Sequence, residues 1–324
     1  MRPIAVIAIG GNSLTQAGQP DTFEQRQRNA LVTCEGVADV LALGYRVVLT
    51  HGNGPQVGQA LLRTELAQPS MPARRLDECD AETEGEIGYL LQQTLSNVLI
   101  RRGVRTTVVS LVTQVVVDAE DSAFRNPTKP IGPFYRVEEA LERSAKDGWV
   151  MTEDSGRGWR RLVASPRPVE IVELGAILAC LRAGNVVIAA GGGGIPVVRT
   201  PGGLHGVDAV IDKDRASALL AKKLHAQLLL FSTAVDRVAL HFGRPDAEWL
   251  DVLSYEEAES ALAAGEFPPG SMGPKIEAAM DFLRAGGVAA VITSPERLAQ
   301  AAQAKAGTRI SPPQPAALPA YAVA

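Results

Sequence analysis

The sequence predicts an α/β fold with a mainly parallel central sheet and helices on both faces, on three observations. First, three apolar runs of strand length each end in a glycine-rich turn. Ile4-Ala5-Val6-Ile7-Ala8-Ile9 runs into Gly10-Gly11-Asn12-Ser13, Arg46-Val47-Val48-Leu49-Thr50 into His51-Gly52-Asn53-Gly54-Pro55, and Val186-Val187-Ile188-Ala189-Ala190 into Gly191-Gly192-Gly193-Gly194. Second, amphipathic helical stretches separate the apolar runs, so strand and helix alternate as in parallel βαβ units. Third, 324 residues suffice for one large α/β domain or two lobes.

Each element follows from its own pattern. Residues 24–43 read as a helix with Leu31, Cys34, Ala38 and Leu41 on one face, stopped by Gly44. Strand 46–50 follows, then helix 55–66, started by Pro55. A helix over about 85–102 carries the stripe Ile87, Leu90, Leu91, Leu95 and Val98 and ends at Gly103. Residues 106–117 are β-rich. The rhythm breaks over 118–168, which holds a Pro-rich block, a short helix near 137–146 and a hairpin-like segment from Trp149 to Val163. This stretch is expected to protrude as a small subdomain or lid. Alternation resumes with helix 170–183, strand 185–190, helix 214–225, strand 227–232, helix 274–285 and strand 288–292. The Pro- and Ala-rich tail, 311–324, is expected to be disordered.

Composition narrows the function. A formal net charge of −4 gives no electrostatic footprint for nucleic acid or an anionic membrane, and 5% aromatic content offers no base-stacking surface. No apolar stretch reaches membrane-spanning length. The first apolar run is too short for a signal peptide and has no cleavage site after it, so the expected location is cytoplasmic. Cys34, Cys79 and Cys180 are odd in number and widely spaced, which fits a reducing compartment without disulfides or a zinc site. Cys34 and Cys180 lie on apolar stripes and are expected in the core; Cys79, in a polar stretch, is expected to be exposed.

The strand ends point to an anionic ligand. Glycine lets backbone N–H groups approach an anion closely, and a helix N-terminus adds a favourable dipole. The Gly10-Gly11 pair lacks the remaining glycine of a dinucleotide fingerprint and the lysine of a phosphate loop. His51 is either a general base or a structural hydrogen-bonding group. Asp212-Lys213-Asp214 heads a helix; an aspartate there is an ordinary cap, or it orders Lys213 on a phosphoryl group. Gly270-Ser271-Met272-Gly273-Pro274-Lys275 opens another helix, and a lysine in a first turn opposes the helix dipole unless an anion faces it. Lys129, between Thr128 and Pro130, has a stiff backbone suited to holding a charge over a site. Thr233 and Asp236 follow a strand end and are candidates for nucleotide contact.

Taken together, these blocks resemble carbamate kinases of the amino acid kinase superfamily. The resemblance runs from about residue 4 to 310. It rests on Ala8 to Asn12, Thr50 to Gly58, Ile87 to Gln93, Asn126 to Tyr135, Ala189 to Pro196, Val210 to Asp214 and Gly270 to Lys275, in the family's order. Related kinases such as acetylglutamate kinase carry a lysine before the first glycine pair. Ala8-Ile9 stands here instead, and the lysine of Asn126-Pro127-Thr128-Lys129 takes its place.

The resemblance implies the amino acid kinase fold, a three-layer αβα sandwich with a protruding subdomain over 118–168. It divides residues 1–310 into a carbamate-binding lobe over about 1–200 and a nucleotide-binding lobe over about 201–310. It implies ATP and ADP, Mg²⁺ bound mainly through the nucleotide, carbamate and carbamoyl phosphate, and a homodimer. Turnover toward ATP synthesis in arginine or purine-derived nitrogen breakdown is the expected context. By motif position, Lys129, Lys213, Asp214 and Lys275 are catalytic. Gly10, Gly11, Asn12, Gly52, Asn53, Gly191 and Gly192 bind substrate. Gly193, Thr233, Asp236, Met272, Gly273 and Lys275 border the nucleotide.

One block departs from the pattern. Where the family reads like Ala-Met-Ser-Gln-Gly, this chain has Ala81-Glu82-Thr83-Glu84-Gly85. Two added carboxylates would repel an anion if they faced the site, or alter pairing at a dimer contact. That leaves two alternatives: a nucleotide-binding regulator without turnover, and a kinase for another small carboxylate or carbamate.

Overall fold

Strict alternation along the strands builds the layers. In a computed structural model, which describes residues 2–11, 14, 19, 22–68, 70–154, 156, 158–268 and 270–313, the first strand buries all six of its residues. Ile4, Val6 and Ala8 join one hydrophobic cluster, while Ala5, Ile7 and Ile9 join another on the opposite face. Only a sheet covered on both sides satisfies such a strand.

The elements, in chain order, are β1 (Ile4–Ile9), α1 (Phe23–Ala42), β2 (Arg46–His51), α2 (Gly54–Ala67), α3 (Leu76–Arg101), β3 (Val108–Ser110), β4 (Gln114–Val117), β5 (Lys129–Tyr135), α4 (Val137–Asp147), β6 (Val150–Glu153), β7 (Trp159–Val163) and β8 (Pro168–Ile171). They continue with α5 (Leu174–Arg182), β9 (Val186–Ile188), β10 (Ile195–Thr200), β11 (Gly203–Gly206), α6 (Lys213–Lys223), β12 (Leu228–Ser232), β13 (Val238–Leu240), β14 (Glu248–Leu250), β15 (Val252–Leu253), α7 (Tyr255–Ala263), α8 (Met272–Arg284), β16 (Ala289–Thr293), α9 (Leu298–Ala302) and β17 (Thr308–Ile310).

The main sheet has eight strands in the order β15-β17-β16-β12-β1-β2-β9-β3. Its neighbours are parallel except β16 and β17. One face packs on Ile177 and Leu181 of α5, Leu220 of α6 and Ile276 and Phe282 of α8. The other packs on Cys34 and Val37 of α1, Leu91 and Leu95 of α3 and Leu298 of α9. Each such buried side chain contributes about 1.5–3 kcal/mol. The result is the predicted three-layer α/β/α sandwich.

Several boundaries differ from the sequence reading, each for a physical reason. Helix α3 begins at Leu76, well before residue 85. The intervening acids look loop-like, but Asp77 and Glu78 favour a first turn, and the Arg75 N–H donates to the Glu78 carboxylate at 2.9 Å. Cys79 is therefore buried on that helix rather than exposed, while Cys34 is buried and Cys180 half-buried against the core. The β-rich run 106–117 splits in two: β3 ends the main sheet, and β4 enters a second sheet of order β11-β10-β4-β8. The helix expected from 170 starts at Leu174, because residues 168–171 pair antiparallel with β4.

Between β4 and β8, strands β5, β7 and β6 form a separate antiparallel sheet. It is seated on α2 by two glycines. A Cβ on Gly58 would lie 1.9 Å from the Gly132 Cα, so only glycine permits the approach. Arg161 and Arg143 stack on the Trp149 ring, and both reach Glu65 of α2.

Candidate active site

The glycine turns do two jobs, and the structure separates them. Several of their N–H groups complete the sheet: Gly10 donates to Ser232 O at 3.0 Å and Gly52 to Ile9 O at 3.0 Å. Gly193 and Gly194 donate within their own turn. Gly191 donates to the Glu84 carboxylate at 2.9 Å. The N–H groups of Gly11 and Gly192 meet no acceptor among the described residues. The N–H groups of Gly10, Gly52, Gly191, Gly193 and Gly194 are thus engaged within the fold, and several of these turns also need glycine for close approach. A Cβ on Gly52 would sit 3.1 Å from Gly11 N and 3.2 Å from the Lys213 stem. A Cβ on Gly192 would strike the Asn53 amide, and one on Gly193 the Ile211 carbonyl. Gly11, Gly52, Asn53, Gly192 and Gly193 therefore meet at the head of α6. Asn12 lies outside the described residues.

Three lysines converge on that same head. Asp212 caps α6, its Oδ1 accepting the Asp214 N–H at 2.9 Å and the Arg215 N–H at 3.4 Å. Its Oδ2 accepts from Lys129 Nζ at 2.6 Å, so β5 and α6 are joined by an ion pair. The Asp214 carboxylate pairs with Lys213 Nζ through Oδ1 and with Lys275 Nζ through Oδ2, the latter at 3.2 Å. Lys275 also donates to Ser271 O at 3.1 Å. Helices α6 and α8 thus bring Lys213 and Lys275 to one carboxylate.

Electrostatics explains the need for both aspartates. Burial presses the Lys213 ammonium below the ordinary lysine range; Asp214 works against that shift and Lys275 with it. Burial alone would raise the Asp212 carboxyl, but Lys129, Lys213 and the Asp214 N–H hold it well below the usual carboxylate range. Lys129 is the member of the set carried by the three-stranded sheet. No group of three or more His, Cys, Asp or Glu residues among the described residues is arranged to hold a metal ion.

The remaining candidates are more dispersed. Thr233 follows β12, with its N–H on Thr293 O at 2.9 Å. Asp236 pairs with Arg297 at 3.3 Å on an exposed surface. Met272 starts α8 and packs partly against the core, and Gly273 donates to Pro268 O at 3.0 Å.

Behind the glycine turn lies a second polar centre that sequence reasoning did not assign. Asn53 donates to Asp80 Oδ1 and to Thr83 Oγ1, each at 3.0 Å. Glu84 Oε2 accepts the Thr113 N–H at 3.0 Å. Burial raises the Asp80 carboxyl well above its usual range, against the Asn53 hydrogen bond, and pushes Glu84 up to about 8. His51 is fully buried, and burial lowers it to about 4. Its Nδ1 faces the Gly52 carbonyl at 3.3 Å, so the proton sits there, and Nε2 is a bare acceptor beside Gly191. The Nδ1 contact with the Gly52 carbonyl is the structural hydrogen bond named as one of the two roles of His51. Of the two unexpected carboxylates, Glu82 pairs with Arg74 at the surface and Glu84 is turned inward. The only sequence signal for this centre is the Glu82-Thr83-Glu84 departure itself.

Comparison with known proteins gives a consistent result. The family model described as the amino acid kinase family matches residues 3–294. A carbamate kinase from Pyrococcus horikoshii is 45% identical over 309 residues, covering 95% of this chain and 98% of that protein. The carbamate kinase-like protein YahI of Escherichia coli is 46% identical, covering 96% of this chain and 99% of that protein. Among solved structures, the carbamate kinase from Giardia lamblia bound to AMP-PNP is 40% identical, with a TM-score of 0.88, covering 96% of this chain and 98% of that one.

Proposed function

Because the chain belongs to the amino acid kinase family, we propose that it is a carbamate kinase, transferring a phosphoryl group reversibly between ATP and carbamate to give ADP and carbamoyl phosphate. The observation that carries this reading is the convergence of Lys129, Lys213 and Lys275 on Asp212 and Asp214, beside Gly11 and Gly52. Phosphoryl transfer asks for positioning and charge neutralisation rather than covalent chemistry. Lys129 would lie over carbamate and the migrating group. Lys213 would bridge it to the nucleotide, and Lys275 would neutralise the nucleotide phosphates. Gly11 and Gly192 would supply N–H donors to the same anion.

Mg²⁺ would ride on the nucleotide. The two nearest carboxylates are committed to lysines and, for Asp212, to the first N–H groups of α6, so the ion's oxygens come mainly from phosphate and water. The division into a carbamate lobe over 1–200, a nucleotide lobe over 201–310 and a mobile subdomain over 118–168 belongs to this proposal. So do Thr233, Asp236, Met272 and Gly273 as nucleotide neighbours, a homodimer, a cytoplasmic location, and flux toward ATP in arginine or purine-derived nitrogen breakdown. No helix among the described residues is long and apolar enough to cross a membrane.

A coupled assay with ADP and carbamoyl phosphate should yield ATP. The decisive version runs a panel of small carboxylates and carbamates with ATP beside it. Nucleotide binding without turnover of any panel member would replace the proposal with a regulator. Faster transfer to another acid would replace carbamate as the substrate.

A further inference from the structure

Glu84 stands where two loops must be joined. The turn after β9 reaches the site from one side of the main sheet, and the loop from β3 to β4 leaves it at Leu111 to Thr113. Backbone bonds join the two segments on either side of that point, the Leu111 N–H donating to Ile188 O and the Ile195 N–H to Thr113 O, each at 2.9 Å, and they leave the N–H groups of Gly191 and Thr113 without a backbone acceptor. Glu84, buried on α3, accepts the Gly191 N–H with Oε1 and the Thr113 N–H with Oε2. The Thr113 hydroxyl donates to Leu111 O at 2.7 Å and accepts the Ala190 N–H at 3.0 Å, closing the same junction from the other side. Ala190 has φ 50°, a left-handed angle that a residue with a side chain holds only at a cost, whereas the φ of 68° at Gly192 is open to glycine. The turn is also sterically fixed: Gly191 abuts His51 and Glu84, Gly192 abuts Asn53, and Gly193 abuts Ile211.

We infer that Glu84 is a positioning residue for phosphoryl transfer: one buried carboxyl group ties the turn after β9 to the loop after β3, and so sets where Gly192 stands relative to Asn53 and the head of α6. The assignment rests on the kinase reading above. It differs from an ordinary core contact because one of the groups Glu84 satisfies, the Gly191 N–H, is a backbone donor of the site turn itself. Glu82, two residues away, makes no such contact and pairs with Arg74 outside.

The test compares Glu84→Ala, Glu84→Gln and the control Glu82→Ala in the full chain, in two readouts. The first is steady-state ATP formation from ADP and carbamoyl phosphate. Glu84→Ala should lower kcat by ~10²-fold, the scale expected when a site is displaced by about 1 Å, with KM for ADP changed less than about threefold. Glu84→Gln retains one acceptor oxygen and should recover most of that loss. The second is amide hydrogen exchange at Thr113 and Gly191, which needs no substrate. Exchange should quicken about tenfold or more in Glu84→Ala and stay unchanged in Glu82→Ala. Activity in Glu84→Ala that falls only in proportion to the unfolded fraction, or exchange equal to that of the parent chain, overturns the inference. If the parent chain makes no ATP from carbamoyl phosphate, the function assigned above fails, while the exchange result still decides whether Glu84 fixes the turn.

Discussion

Two buried polar centres flank the same glycine turn and handle charge in opposite ways. In front, three ammonium groups meet two carboxylates, and each lysine is paired within hydrogen-bonding distance. Behind, Asp80 and Glu84 meet neutral donors: the Asn53 amide and the N–H groups of Gly191 and Thr113. The front is built to stay charged, because opposite charges sustain one another against desolvation. The back is biased toward neutrality, because burial raises both of its carboxyls. A site for an anion gains from surplus positive charge at its face and from little negative charge in its support. The difference between the centres therefore separates groups that meet the ligand from groups that hold the backbone.

The comparison is most sharply tested at the front. Lys213→Ala and Lys129→Ala should each lower kcat for ATP formation by ~10²-fold or more, as removal of one charge-stabilising group does elsewhere. Equal activity in both variants and the parent chain would show that the front centre serves stability alone. Asp212→Asn should have a smaller effect, ~10-fold. Asparagine still caps α6, so the loss isolates the hold on Lys129. Melting temperature should barely move, and a large drop there would mean that the ion pair anchors β5 rather than aiming a lysine.

At the back, the effect is on stability and depends on pH. Glu84 ordinarily titrates near 4.5 and is raised to about 8 in the fold. Between those values the folded chain retains a proton that the unfolded chain releases, so stability falls as pH rises through that window. Glu84→Gln has no such loss. The variant should melt below the parent chain near pH 5, for want of one hydrogen bond worth about 1 kcal/mol, and the gap should close by at least ~2 °C toward pH 8. Parallel melting curves across that range would contradict the neutral-support picture. The smallest effect belongs to Glu82→Ala. An exposed pair with Arg74 is worth less than ~1 kcal/mol, so activity and melting temperature should both stay near those of the parent chain.

Much of this was legible in one dimension. The unbroken apolar run of β1 required a sheet covered on both faces, and the apolar runs with their glycine turns marked the strand ends around which the site is built. The lysine positions were legible too, since Lys213 and Lys275 sit at helix heads where a bare cation is disfavoured. Local pattern failed where polar residues are buried by partners distant in sequence. Asp80 and Glu84 made residues 76–84 look like a loop, and Cys79 look exposed, because their partners lie at Asn53, Thr113 and Gly191. Strand β8 was hidden for a related reason: its pairing with β4 depends on a ladder across more than fifty residues.

The amino-acid sequence by itself determined the layered α/β architecture and the stock of cations, because side-chain period and glycine placement act within a few residues. Tertiary structure alone decided that Asp212 takes Lys129 while Asp214 takes Lys275 beside its neighbour Lys213, and that Glu84 turns inward while Glu82 turns out. Such pairings depend on which backbones approach within about 3 Å, a distance fixed only when the sheets and helices have packed.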